Sequence, residues 1–207
     1  MSERSAAEEH LRVIRSLMER ATVYRAISAP IALFGGTLAV LLGFWPWSRK
    51  PGWMLGDDGF LVCWLGVLGL TALANTYYIW REAHERGDRF ISSGMRMALT
   101  ALLPPMLCGG AFTLALGGAE LPPYWMIFYG LGLLATAHFA PRSMVLLGWA
   151  FLFTGLLTLL WFSENGRLGL AMHADLVMGF TFGWYHVIYA ACTWPRRASE
   201  AVSVDAV

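Results

Sequence analysis

The stretch SMVLLGWAFLFTGLLTLLWF, residues 143–162, decides the fold. It holds no charged side chain, and its only polar groups are one serine, two threonines and the indoles of Trp149 and Trp161. About 20 apolar residues wound as a helix rise about 30 Å, the thickness of a bilayer's hydrocarbon core. In water such a helix would have no polar face to show solvent. This stretch therefore reads as a membrane span.

Working outward, five further runs of the same kind flank it. Spans are expected near residues 30–47, 59–80, 95–117, 123–140, 143–162 and 169–194, joined by short connections. Composition agrees: 57% of the 207 residues are hydrophobic and 14% charged, where a soluble domain carries about 25% charged residues. The expected fold is all-α, a six-transmembrane-helix bundle over residues 29–194. An amphipathic interfacial helix precedes it (1–28) and a short polar, disordered tail follows it (195–207).

Aromatic residues mark the span ends. Trp45, Trp47, Trp53, Tyr124, Trp125 and Trp161 fall toward one surface, and Tyr77, Tyr78, Trp80, Tyr189 and Trp194 toward the other. Such rings settle at interfaces because each has an apolar body and a polar edge. Cationic residues give the orientation. With the N-terminus inside, the inner segments hold Arg4, Arg12, Arg15, Arg20, Arg25, Arg81, Arg86, Arg89, Arg96, Arg142, Arg196 and Arg197, twelve in all. The outer loops hold three, Arg49, Lys50 and Arg167. Positive charge concentrates on the cytoplasmic side of membrane proteins, so both termini are expected in the cytoplasm and the chain in the cell inner (plasma) membrane. The first 27 residues mix Arg and Glu and lack the apolar core of a signal peptide, so the first span is expected to insert uncleaved. The net charge of +1 gives no reason to expect a nucleic-acid partner. Cys63, Cys108 and Cys192 all fall inside spans without metal-ligand spacing, and read as small packing residues.

The N-terminal segment opens with a Ser5-x-x-Glu8 capping box. Leu11, Ile14, Leu17, Met18 and Ala21 then recur at helical spacing opposite Arg12, Arg15, Glu19 and Arg20. Such a helix lies on the inner leaflet or binds a cytoplasmic or membrane protein partner through residues 6–27. Ser28 is expected to cap the first span and Pro30 to sit in its first turn. No internal repeat relates spans one to three to spans four to six.

Candidate site residues lie in the second, third, fourth and sixth spans. The sixth is the most polar, with His173, Asp175, Thr181, Tyr185 and His186. An ionisable side chain at membrane depth is costly and faces protein or water. At 100° per residue Asp175 and His186 share a face, about 16 Å apart along the axis. Gly179-x-x-x-Gly183 lies near that face and lets another helix, or a second copy of the chain, approach closely. In the third span Pro104-Pro105 removes two amide donors and is expected to free the carbonyls of Thr100 and Ala101, with Gly109-Gly110 one turn on. Such a break marks either a binding site or a plain kink. Thr71, Asn75 and Tyr78 share one face of the second span, as interhelical hydrogen-bonding groups or as ligand contacts.

His138 and His186 raise a bis-imidazole haem reading, although no Cys-x-x-Cys-His attachment motif occurs and no cofactor is assigned. His84 lies in a charged inner loop, and His84-Glu85 lacks the second histidine of a zinc-binding helix.

Residues 11–20, LRVIRSLMER, resemble the opening of a group of bacterial multi-span membrane proteins that begin with a Leu-Arg-x-Ile-Arg-x-x-Met-Glu type of helix. The resemblance is confined to this segment and implies a bacterial inner membrane. It carries no site residues and no activity. Size and span number are also similar to those of the substrate-binding subunits of energy-coupling-factor vitamin transporters.

Three functions follow as expectations. The first is a non-enzymatic sensor or accessory membrane subunit that works through its N-terminal helix. The second is a small-solute carrier or substrate-binding subunit with a cavity near the third and sixth spans. The third is a haem- or quinone-linked electron carrier.

Overall fold

The computed structural model describes residues 28–45, 57–87, 91, 93–116, 118–165 and 174–194. The N-terminal helix expected before residue 28, the tail after 194 and His173 lie outside the described residues. Those residues form helices, turns and no strand. The helices are α1 (Ala29–Phe44), α2 (Asp57–Arg86), α3 (Ser93–Ala115), α4 (Leu121–Ala135), α5 (Arg142–Asn165) and α6. A short 3-10 turn, Gly118–Glu120, precedes α4. α6 is one rod in three pieces: α-helical Ala174–Met178, π-helical Gly179–Trp184 and α-helical Tyr185–Thr193.

Among the described residues, three helices are long and apolar enough to cross a membrane: Asp58–Glu85 within α2, Met95–Ala115 within α3 and Arg142–Trp161 within α5. The apolar α1 and α4 are shorter, at 16 and 15 residues. At 1.5 Å per residue they reach about 24 and 22 Å.

Local sequence explains the ends. Pro30 sits in the first turn of α1, where a missing amide costs nothing. Ser28 does not cap as expected, because its side chain makes no cap bond. Its carbonyl accepts instead from the amides of Ile31 and Ala32, at 3.1 and 3.0 Å. Pro122 and Pro123 open α4 in the same way as Pro30, so that helix starts two residues before the expected 123 and ends at Ala135, before the turns that carry His138.

Small residues set the packing. The glycine pair of α6 turns inward onto α1. A Cβ placed on Gly43 would lie 2.6 Å from the Cα of Gly179, and one on Gly183 would lie 2.9 Å from the amide nitrogen of Val40. At Gly43 and Gly179 neither side carries a side chain, and at Gly183 the bare glycine makes room for the Val40 side chain and backbone. α4 and α5 make the same kind of seam: a Cβ on Gly130 would lie 2.8 Å from the carbonyl oxygen of Gly148. Close backbone contact replaces the hydrophobic effect, which gives no drive between helices already in lipid.

The helices form a curved row. α2 packs on α1, α1 on α6, α6 against α5 and α4, and α3 on α4. α2 and α3 end the row and barely touch each other. The largest core cluster lies where α1, α4, α5 and α6 meet. Phe151 of α5, fully buried, is its centre, within 4.7–5.6 Å ring to ring of Tyr129, Phe182, Tyr185 and His186. Outward faces are apolar, with Val62, Leu73, Leu107, Leu114 and Leu157 all well exposed. In water such a belt would be a liability; against lipid tails it is a solvated surface.

Candidate functional site

A cavity of about 460 Å³ fills the concave side of the row. That is the size of small-ligand sites, about 300–1,000 Å³. Helices α1, α2, α3, α4 and α6 wall it, and α5 contributes nothing to the lining. α3 and α6 are among these walls, together with α1, α2 and α4.

α1 offers small groups, Ala32, Gly35 and Ala39, which leave the space open. The opposite wall is aromatic: Trp125, Phe128 and Tyr129 follow one another along α4. Phe60 stacks on Trp125 with ring centroids 5.9 Å apart, which joins α2 to α4. Trp125 is anchored by an indole N–H donated to Thr113 Oγ1 at 2.8 Å, and Thr113 in turn donates to the carbonyl of Gly109.

His186 comes from α6, two residues beyond the π-helical segment. Its Nδ1 lies 2.7 Å from the carbonyl of Phe182, and its Nε2 lies 2.8 Å from the hydroxyl of Tyr129. A carbonyl only accepts, so Nδ1 carries the proton. In the neutral ring Nε2 then accepts from the tyrosine. Both ring nitrogens are engaged. Pi-helical turns are rare and occur often at functional sites, and here one lies directly beside the cavity.

Two side chains on the wall stand apart. Thr71 Oγ1 and Asn75 Oδ1 are buried and find no hydrogen-bond partner among the described residues. They are one helical turn apart on the same face of α2, and both line the cavity. The threonine contrasts with others of its type. Thr76, Thr100, Thr113, Thr154, Thr158, Thr181 and Thr193 each donate to the carbonyl four residues back, at 2.7–2.9 Å. Thr71 is instead directed at α1, where a Cβ on Gly35 would lie 2.8 Å from its oxygen. An unpaired buried polar group costs about 1–3 kcal/mol, and a native structure that keeps two on one wall gives them something to do.

The candidates read from sequence divide accordingly. Asn75 and His186 both line the cavity, one from α2 and one from α6. Asp175 does not line it; its Oδ1 accepts the indole N–H of Trp64 at 2.8 Å, and Trp64 is the lining residue. Asp175 and His186 therefore serve different neighbours, one on α2 and one on α4. Pro104 and Pro105 lie outside the lining, and α3 runs α-helical through both. Thr100 is exposed and its hydroxyl returns to the carbonyl of Arg96. Tyr78 is also outside the cavity. His138 is exposed in the turn after α4 and does not line the cavity. No group of three or more metal-ligating side chains occurs among the described residues.

Sequence reasoning missed Trp64, Phe128 and Tyr129, and assigned Trp125 to the membrane interface. A signal was present. Trp64 and Tyr129 sit inside expected spans, away from their ends, and a polar edge at that depth requires a partner. No protein-family model, curated protein or solved structure matches this chain.

Proposed function

We propose that the chain is a multi-pass protein of the cell inner membrane that holds a small, largely apolar ligand in this cavity. It acts as a non-enzymatic sensor or as the substrate-binding subunit of a carrier. The observation that carries the reading is the pair of unpartnered atoms, Thr71 Oγ1 and Asn75 Oδ1, on the wall of an otherwise apolar chamber. Binding sites commonly combine an apolar lining with a few placed polar groups.

Six spans and cytoplasmic termini belong to the same proposal. The six described helices and the twelve-to-three division of Arg and Lys between the two sides support them. A partner bound through residues 6–27 would couple the cavity to the cytoplasm.

Thermal unfolding of the detergent-purified protein, before and after exhaustive delipidation, tests the reading. A ligand present at 100 times its Kd stabilises by about 2.7 kcal/mol. Stripping should therefore lower the Tm of the natural protein by several degrees. A Thr71→Val, Asn75→Leu double variant should show no such drop. Equal drops in both proteins would defeat the proposal.

A further inference from the structure

Every exposed residue of the cavity wall belongs to α2 or α3: Leu65, Leu68 and Ala72 on one helix, Met106 and Gly110 on the other. The remaining lining residues are buried or half-buried. Since α2 and α3 barely touch, the chamber opens sideways through the slot between them. That slot faces lipid. The apolar windows of α2 and α3 are each only 11% buried, against 28% for α5, so these two helices are more immersed in the surrounding medium than α5. A ligand dissolved in water would have to cross hydrocarbon to use such a door. One dissolved in the bilayer already stands at it.

The chemistry inside narrows the class. Asn75 Oδ1 is an acceptor without a donor, and Thr71 Oγ1 can both donate and accept. A hydrocarbon tail or an ester supplies no donor. A hydroxyl supplies one donor and two acceptor sites, so it answers Asn75 and Thr71 together. It would serve equally if the amide were turned end for end. The rest of the wall is apolar and aromatic, suited to a chain.

We infer that the cavity takes a long-chain alcohol from the bilayer, fatty or isoprenoid. It passes between α2 and α3, and its hydroxyl bonds Asn75 and Thr71 once these side chains turn toward the chamber, since both oxygens are fully covered in this structure. This inference rests on the ligand-binding reading above and adds the route and the class.

The test uses the full chain in lipid nanodiscs and a brominated octadecanol, whose bromine quenches the nearby indoles of Trp64 and Trp125. Its brominated methyl ether, which accepts but cannot donate, corrects for quenching of lipid-facing tryptophans. The alcohol should quench the natural protein at a mole fraction at least tenfold below the ether. Asn75→Leu should bring the alcohol to the level of the ether. Gly110→Leu places a branched side chain at the slot, where a Cβ meets no other atom within 4 Å. It should slow the onset of quenching about tenfold and leave its final extent unchanged. Competition by unbrominated geranylgeraniol against unbrominated octadecanol separates an isoprenoid from a fatty occupant. Equal quenching by alcohol and ether would overturn the assignment, and so would an onset unchanged in Gly110→Leu. If the alcohol shows no preference while stripping still lowers the Tm of the natural protein alone, the cavity binds a ligand of another class and only this inference falls.

Discussion

Tyr129 and His186 show how a single pair can lock one wall of the chamber. The ring proton is held on Nδ1 by the Phe182 carbonyl, which leaves Nε2 as an acceptor for the phenol. Tyr129→Phe keeps the ring contacts with Phe151 and Phe182 and removes only that donor. A cost of about 1 kcal/mol is expected, since hydrogen bonds inside membranes are worth about 0.6–2 kcal/mol. Reversible unfolding of the variant in mixed micelles measures it. A loss beyond about 3 kcal/mol would mean that the pair does more than hold its two helices. Thr71 and Asn75 carry the opposite expectation. In delipidated protein, Asn75→Leu removes an unpaired amide oxygen and should leave stability unchanged or raise it by up to about 1 kcal/mol. At this scale the sequence was half legible. Asn75 and His186 stand out because polar groups are rare at membrane depth. Asp175 stood out for the same reason, but its contact with Trp64 depends on the turn of α6, which spacing along an ideal helix does not reveal.

At the scale of the element, glycines decide which helices meet. Gly43 faces the backbone of Gly179 and Asp175, whereas Gly66 meets nothing within 4 Å. The same substitution should therefore have opposite effects. Gly43→Ala forces α1 from α6 and should cost about 1–3 kcal/mol. Gly66→Ala lies in an open helix face and should be neutral or stabilise by up to about 1 kcal/mol. Thermal melts of the two variants side by side check the contrast, and equal losses would contradict the packing described. The Gly179-x-x-x-Gly183 motif was readable as a close-approach site, and its partner proves to be α1 of the same chain. Spacing alone could not choose between that and a second copy. Pro104-Pro105 was the most visible signal in the third span, yet α3 continues through both prolines and neither reaches the chamber. The π-helical segment of α6 had no sequence signature at all, because nothing in Gly-Phe-Thr-Phe-Gly-Trp separates it from an ordinary turn.

At the scale of the whole molecule, the run at 143–162 announced an apolar helical protein, and each described helix overlaps an expected span, although α2 ends six residues past its expected end and α4 five residues short. The curved order of the row was not legible. It depends on which small residues face each other across helices distant in sequence, such as Gly36 opposite Gly183. The topology prediction belongs to this scale. A reporter that works only outside the membrane, inserted after Lys50 or Arg167, should be active, and one fused at Val207 silent. An active fusion at Val207 would mean an odd number of spans. The central claim, that the chamber holds a ligand through Asn75 and Thr71, is tested most directly by native mass spectrometry. The full chain, released from its own membranes in mild detergent, is compared with the Asn75→Leu variant. The natural protein should carry one added small-molecule mass per chain, and the variant should lose most of it. A bare mass for both, or the same adduct on both, would contradict the account.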